Sequence, residues 1–136
     1  MRFAHLITVA MLAIAVAASA GCSNATGVSQ QEMRKLVQGD ITQVMNDISR
    51  AEESSPTIGL SSNPFTYAEI SPALDRLVAR GKPALDAIAD EVESSADDGL
   101  REYLLAIAGQ RIMDEVKPDG LWSTGKGWAR YYRAQK

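Results

Sequence analysis

Residues 100–113 read Leu-Arg-Glu-Tyr-Leu-Leu-Ala-Ile-Ala-Gly-Gln-Arg-Ile-Met. Leu100, Tyr103, Leu104, Leu105, Ile107, Ala108, Ile112 and Met113 recur with helical period, and the arc they cover is wider than a surface helix needs. The spacing predicts a helix over 100–115 that is the most buried one in the fold. Working outward, Asp97 or Asp98 is expected to cap this helix, and Glu102 is expected on its hydrophilic, exposed side. Pro83 opens a helix running to about Glu93, with Leu85, Ile88, Ala89 and Val92 turned inward. Before it, Ser71, Pro72 and Asp75 offer a cap, a first-turn proline and a first-turn acid for a helix over 72–80 that stops at Gly81. Thr66 and Glu69 are spaced as a further capping box.

Toward the N-terminus, Ser29 and Glu32 form a capping box ahead of Met33, Leu36, Val37, Ile41, Val44, Met45 and Ile48. This single apolar stripe predicts a long amphipathic helix over 30–53, ended by Ser54, Ser55 and Pro56. Such a stripe usually faces a core; a coiled-coil or partner-binding role is the alternative. Residues 54–63, rich in Ser, Gly and Pro, are expected to be loop. Toward the C-terminus, residues 119–127 read as a turn region, and Thr124 can cap a last short helix that carries Trp128, Tyr131 and Tyr132. The expected fold is all-α: a compact helical bundle preceded by the long amphipathic helix.

The first 28 residues read as an address. Met1 and Arg2 precede an uncharged run of 15 residues, Leu6 to Ala20, with Thr8 and Ser19 its polar members. That is shorter than the roughly 20 apolar residues a spanning helix needs, and it suits a signal-peptide core. Ser19-Ala20-Gly21-Cys22 then resembles the bacterial lipobox, in which small residues precede a cysteine that receives diacylglycerol and acyl chains such as palmitate. Ser19 stands where that pattern has an aliphatic residue. The resemblance implies residues 1–21 as a removed signal peptide, Cys22 as the lipidation site, 22–28 as a flexible tether and 29–136 as one helical domain. It further implies a membrane partner through the lipid anchor, on the outer side of the cytoplasmic membrane or in the periplasm. Ordinary secretion after Ala-Ser-Ala-Gly is the alternative for this stretch; a lone buried thiol does not suit Cys22, whose neighbours Gly21, Ser23, Asn24 and Thr26 offer nothing to bury it.

Composition sets limits. With 46% hydrophobic and 23% charged residues in 136 positions, the chain fits one small core and is too apolar for disorder. Its 14 Lys and Arg against 17 Asp and Glu give −3, so it lacks the positive field with which nucleic-acid binders neutralise phosphates, and no nucleic-acid partner is expected. From Cys22 onward the chain has 115 residues, no histidine and a net charge of −4. Since His5 lies in the leader and Cys22 is assigned to lipid, His-based triads, Cys nucleophiles and His or Cys zinc sites are excluded. No cofactor, no metal site and no catalytic residue is expected.

Residues Leu77 to Met113, with Gly81-Lys82-Pro83-Ala84-Leu85 opening one helix and Leu100-Arg101 opening the next, resemble a HEAT-like repeat. The likeness implies an antiparallel helix pair. A weaker trace lies 35 positions on, where Arg76-Leu77-Val78 and Lys82-Pro83 match Arg111-Ile112-Met113 and Lys117-Pro118. Asn63-Pro64-Phe65-Thr66-Tyr67, residues 81–85, residues 99–108 and Trp122-Ser123-Thr124-Gly125-Lys126-Gly127-Trp128 together are similar to a group of small bacterial exported proteins of unassigned function. That similarity implies a fold and carries no catalytic residue.

Three groups of residues remain as candidates for function. Residues 86–98 hold six acids and no base, with Asp86, Asp90, Glu93 and Asp97 at helical steps, and are expected to form a solvated face; a docking surface for a basic partner is the alternative. Glu69, Glu102 and Asp114 are the carboxylates a small cell-envelope hydrolase would use. The last 20 residues carry a net +4 interleaved with Trp122, Trp128, Tyr131 and Tyr132. Trp122, Lys126, Trp128, Arg130, Tyr131 and Arg133 are thus a candidate interaction surface for anionic headgroups, an envelope polymer or a protein. The competing expectation makes Trp128 a lid over Leu104 and Ile107 and leaves Trp122 open. The leading functional reading is a membrane-tethered, non-enzymatic helical interaction module with a protein or envelope-polymer partner.

Overall fold

A computed structural model describes residues 27–114 and 122–136. The leader, Cys22 and most of the tether lie outside the described residues, as do Lys117 and Asp119. The fold is all-α. Among the described residues seven helices pack on one another: α1 (Gln30–Ser54), α2 (Pro56–Gly59), α3 (Pro64–Ile70), α4 (Pro72–Ala79), α5 (Leu85–Ser94), α6 (Leu100–Met113) and α7 (Gly125–Ala134), with a 3-10 turn at Lys82–Ala84 before α5.

The centre is α6. Every residue from Leu104 to Gln110 is buried, so no face of this stretch meets water, and α3, α4, α5 and α7 all pack against it. The long α1 covers one side through Met33, Val37, Ile41, Val44 and Ile48. Its Ser29 Oγ accepts the Glu32 N–H at 3.1 Å, the cap the sequence spells.

Polar contacts fix α1 against α4. The buried Asp40 takes the Arg80 guanidinium at the end of α4, with Arg76 at 3.8 Å. One turn pair further along α1, Asp47 accepts the Ser71 hydroxyl at 3.0 Å and the Ala73 N–H at 3.3 Å at the start of α4. The two helices therefore run antiparallel, joined at both ends of the shorter one. Burial pushes the Asp47 carboxyl up, but the bonds from Gln43, Ser71 and Ala73 outweigh it and hold the group below its usual range. After α4 the chain turns through Gly81 at φ 69, a left-handed conformation that favours glycine.

The structure differs from the sequence expectation at several joints. Residues 54–63 are not all loop, because Pro56 starts the single turn of α2. The helix expected from the Thr66 and Glu69 spacing starts earlier, at Pro64, where Asn63 Oδ1 accepts the Phe65 N–H at 3.1 Å and leaves Thr66 inside α3. The helix expected from Pro83 spends its first turn as 3-10. The cap of α6 is Gly99, neither Asp97 nor Asp98, and α6 stops at Met113, where Asp114 turns left-handed at φ 52.

Candidate functional site

The C-terminal residues singled out above fall into three kinds of environment. Trp128 is fully buried. Its ring lies so close to α6 that a Cβ on Gly109 would overlap it, and Tyr132 stacks on its other side at 5.7 Å and 10°. Its indole Nε1 has no hydrogen-bond partner among the described residues. Trp122 is also buried, at 5% exposure; its Nε1 donates to Gln110 Oε1 at 3.1 Å and its ring meets Tyr103 at 5.4 Å. Tyr131 is half-buried and packs against the core. These aromatics hold α7 and its leading turn to α6.

The cations divide likewise. Arg133 is spread over three carboxylates of α5, reaching Asp86 and Glu93 each at 3.0 Å and also Asp90. Lys136 joins Asp86 as well, and Tyr132 donates its hydroxyl to Asp86 at 3.0 Å. Arg34 of α1 reaches Asp90 from the opposite side at 2.8 Å. The acidic face of α5 is therefore not merely solvated. It is neutralised by the chain's own C-terminal helix, so the basic partner it suits is already present. The Lys136 ammonium, with Tyr132 and Arg133, holds the Asp86 carboxyl below the usual carboxylate range. The bond to Glu93, helped by Asp90, raises Arg133. Of the six residues proposed as a surface, Lys126 and Arg130 have side chains without an ion-pair partner among the described residues, and Arg130 is the more exposed.

The hydrolase candidates do not share one environment. Glu69 is exposed on α3 and Asp114 is exposed at the end of α6. Glu102 corrects the sequence reading: it is 2% exposed, not on a wet helix face. One oxygen accepts the Gly99 N–H at 2.9 Å, and the other accepts Ser95 Oγ at 2.8 Å and Arg101 Nη1 at 2.9 Å. Burial pushes its carboxyl up, and these donors overcome that and bring it below its usual range. A general acid at neutral pH needs the opposite shift. Arg101 also reaches Glu91 at 3.0 Å, which carries the ion-pair chain from α6 back to α5. Close packing explains part of this burial, because a Cβ on Gly125 would collide with the backbone of Glu102.

The chain matches no protein-family model, no curated protein and no solved structure. Its working surface must be sought in its own shape. Among the described residues, a depression of about 540 Å³ lies along α1 at Gln38, Ile41 and Thr42, and two more border the start of α6. A broad open groove of about 740 Å³ runs beside the α5–α6 turn, with Met45, Ser94, Asp97 and Arg101 on its walls. A narrower cleft of about 320 Å³ lies where the starts of α3, α6 and α7 meet, and Ser62, Asp98, Tyr103, Ser123 and Thr124 open onto it. Sequence reasoning missed this cleft because its residues come from the starts of α3 and α6 and from the turns before α3, α6 and α7, and share no period. The signal available was the hydroxyl-rich composition of Ser61-Ser62 and Ser123-Thr124.

Proposed function

We propose that the protein is a membrane-tethered, non-enzymatic helical interaction module of the bacterial cell envelope. In this reading acyl chains on Cys22 hold it at the outer side of the cytoplasmic membrane or in the periplasm, and a HEAT-like pair formed by α5 and α6 supplies the rigid frame. The observation that supports it most is where α1 starts. Ser29 caps α1 seven positions after Cys22, so a short polar stretch, Ser23 to Val28, separates the lipobox-like cysteine from a packed domain. Among the described residues no helix is long and apolar enough to cross a membrane. Two or three acyl chains give durable anchoring where one is marginal.

The partner, a protein or an envelope polymer, would meet the helical surface rather than the aromatic tail. Trp122, Trp128 and Arg133 are engaged within the domain, so little of the C-terminal segment is left to offer an anionic surface. The hydrolase reading loses support at Glu102, whose oxygens are both occupied and whose carboxyl is shifted the wrong way for proton donation.

Detergent phase partitioning tests the proposal. The parent chain is expected in the detergent phase and the Cys22→Ser chain in the aqueous phase. A Cys22→Ser protein that still follows membranes after a high-salt wash overturns the anchor.

A further inference from the structure

The cleft between the starts of α3, α6 and α7 has a lining of unusual composition for a helical protein. Among the described residues no Lys or Arg borders it, and one acid does. An anionic ligand would therefore find no counter-charge there and would face a carboxylate. A purely apolar ligand would strand the hydroxyls of Ser62, Ser123 and Thr124 against hydrocarbon, at a cost in lost hydration. The groups present are instead hydroxyls and one carboxylate set around the Tyr103 ring.

Asp98, Thr124 and Tyr103 are held in place by their neighbours. Asp98 spends Oδ1 on the Lys126 N–H at 3.0 Å, which fixes the carboxylate and leaves Oδ2 open to solvent. Thr124 Oγ1 accepts the Gly127 N–H at 3.0 Å while its own proton is free to donate. The Tyr103 ring is half-buried and braced by Trp122, itself held by Gln110. Tyr67 donates its hydroxyl to the carbonyls of Ile58 at 2.9 Å and Ser61 at 3.3 Å, which pins the loop carrying Ser62. Pro64 adds a second rigid apolar surface. Groups locked before binding lose little conformational freedom when a ligand arrives.

From this arrangement we propose that the cleft is a binding subsite for a neutral oligosaccharide. A pyranose ring has an apolar C–H face, which the Tyr103 ring and Pro64 fit, and a rim of hydroxyls. Those hydroxyls can donate to Asp98 Oδ2 and accept from Ser62, Ser123 and Thr124. The volume of about 320 Å³ lies at the small end of ligand sites and suits one or two sugar units of a longer chain. The subsite deepens the envelope-polymer form of the proposed function by giving that polymer a chemical class.

The test uses the chain from residue 22 onward carrying Cys22→Ser, so its outcome does not depend on lipidation, which partitioning tests separately. The probe is the β-1,4-linked N-acetylglucosamine tetramer, followed by amide chemical shifts. Saturable shifts at Ser62, Gly99, Ser123 and Thr124 are expected, with affinity falling about tenfold in Tyr103→Leu and in Ser62→Trp. Ser62 is exposed, so Ser62→Trp fills the cleft while leaving the core untouched, and it carries the test alone if Tyr103→Leu does not fold. Three results overturn the subsite: no saturable shift at about 10 mM tetramer, unchanged affinity in Ser62→Trp, or tetragalacturonate binding as tightly as the neutral sugar.

Discussion

Gly109 and Gly39 are both glycines in helix interiors, and helix propensity alone treats them alike: replacing either with Ala should stabilise by about 1 kcal/mol. Their surroundings reverse one of the two signs. Nothing lies within 4 Å of a Cβ placed on Gly39, on the open face of α1. A Cβ on Gly109 lands on the indole of Trp128, a ring with 0% exposure that Tyr132 backs at 5.7 Å. The ring cannot retreat without opening the α6–α7 contact, and overpacking a tight core costs about 1 to 3 kcal/mol. The overlap is deep, so the upper end of that range applies. Set against the propensity gain, Gly109→Ala is expected to lose about 2 kcal/mol net and Gly39→Ala to gain up to about 1 kcal/mol. Urea unfolding followed by far-ultraviolet circular dichroism measures both, with unchanged m-values showing that the folded state persists. A Gly109→Ala protein at least as stable as its parent would refute the packing of α7 on α6.

Trp128→Ala removes the same contact from the other side and is expected to cost about 3 to 5 kcal/mol; a change within about 0.5 kcal/mol would mean that the ring is not buried. Arg133→Ala frees Asp86, Asp90 and Glu93 from their shared cation and should lower stability by about 1 kcal/mol, since all four side chains are partly wet. That loss should shrink as salt is raised, and an equal loss at low and high salt argues against the clamp. Asp47, Asp86 and Glu102 all have carboxyls held below their ordinary values in the folded state. Their contribution is complete above the unfolded values of about 4 and fades as pH falls through the lower folded ones. The melting temperature is therefore expected to drop on acidification below about pH 4, and a rise there contradicts these assignments.

Helical period made α1, α4, α5 and α6 legible in the sequence, because each turns one stripe, or in α6 nearly the whole circumference, into a packed interior. Punctuation was legible where one residue decides it, as at Ser29, Gly81 and Thr124. What stayed hidden depends on partners distant in the chain. The acids of α5 read as a wet face because their cation, Arg133, lies 40 or more positions away. Glu102 read as exposed because a helical wheel does not show that its own N-terminal turn folds donors over it. Trp122 sits in an aperiodic turn, and Gln110, which receives its N–H, is reached only through the fold. The single turn of α2 is too short to leave a period.

The proposed function requires that Cys22 be the first residue of the mature protein and carry lipid. Intact-mass analysis of the N-terminal proteolytic peptide, taken from protein purified out of membranes, tests it most directly. The expected result is a peptide beginning at Cys22 with the added mass of a diacylglyceryl group, with or without a further acyl chain. A peptide that begins elsewhere, or one that contains an unmodified Cys22, contradicts it.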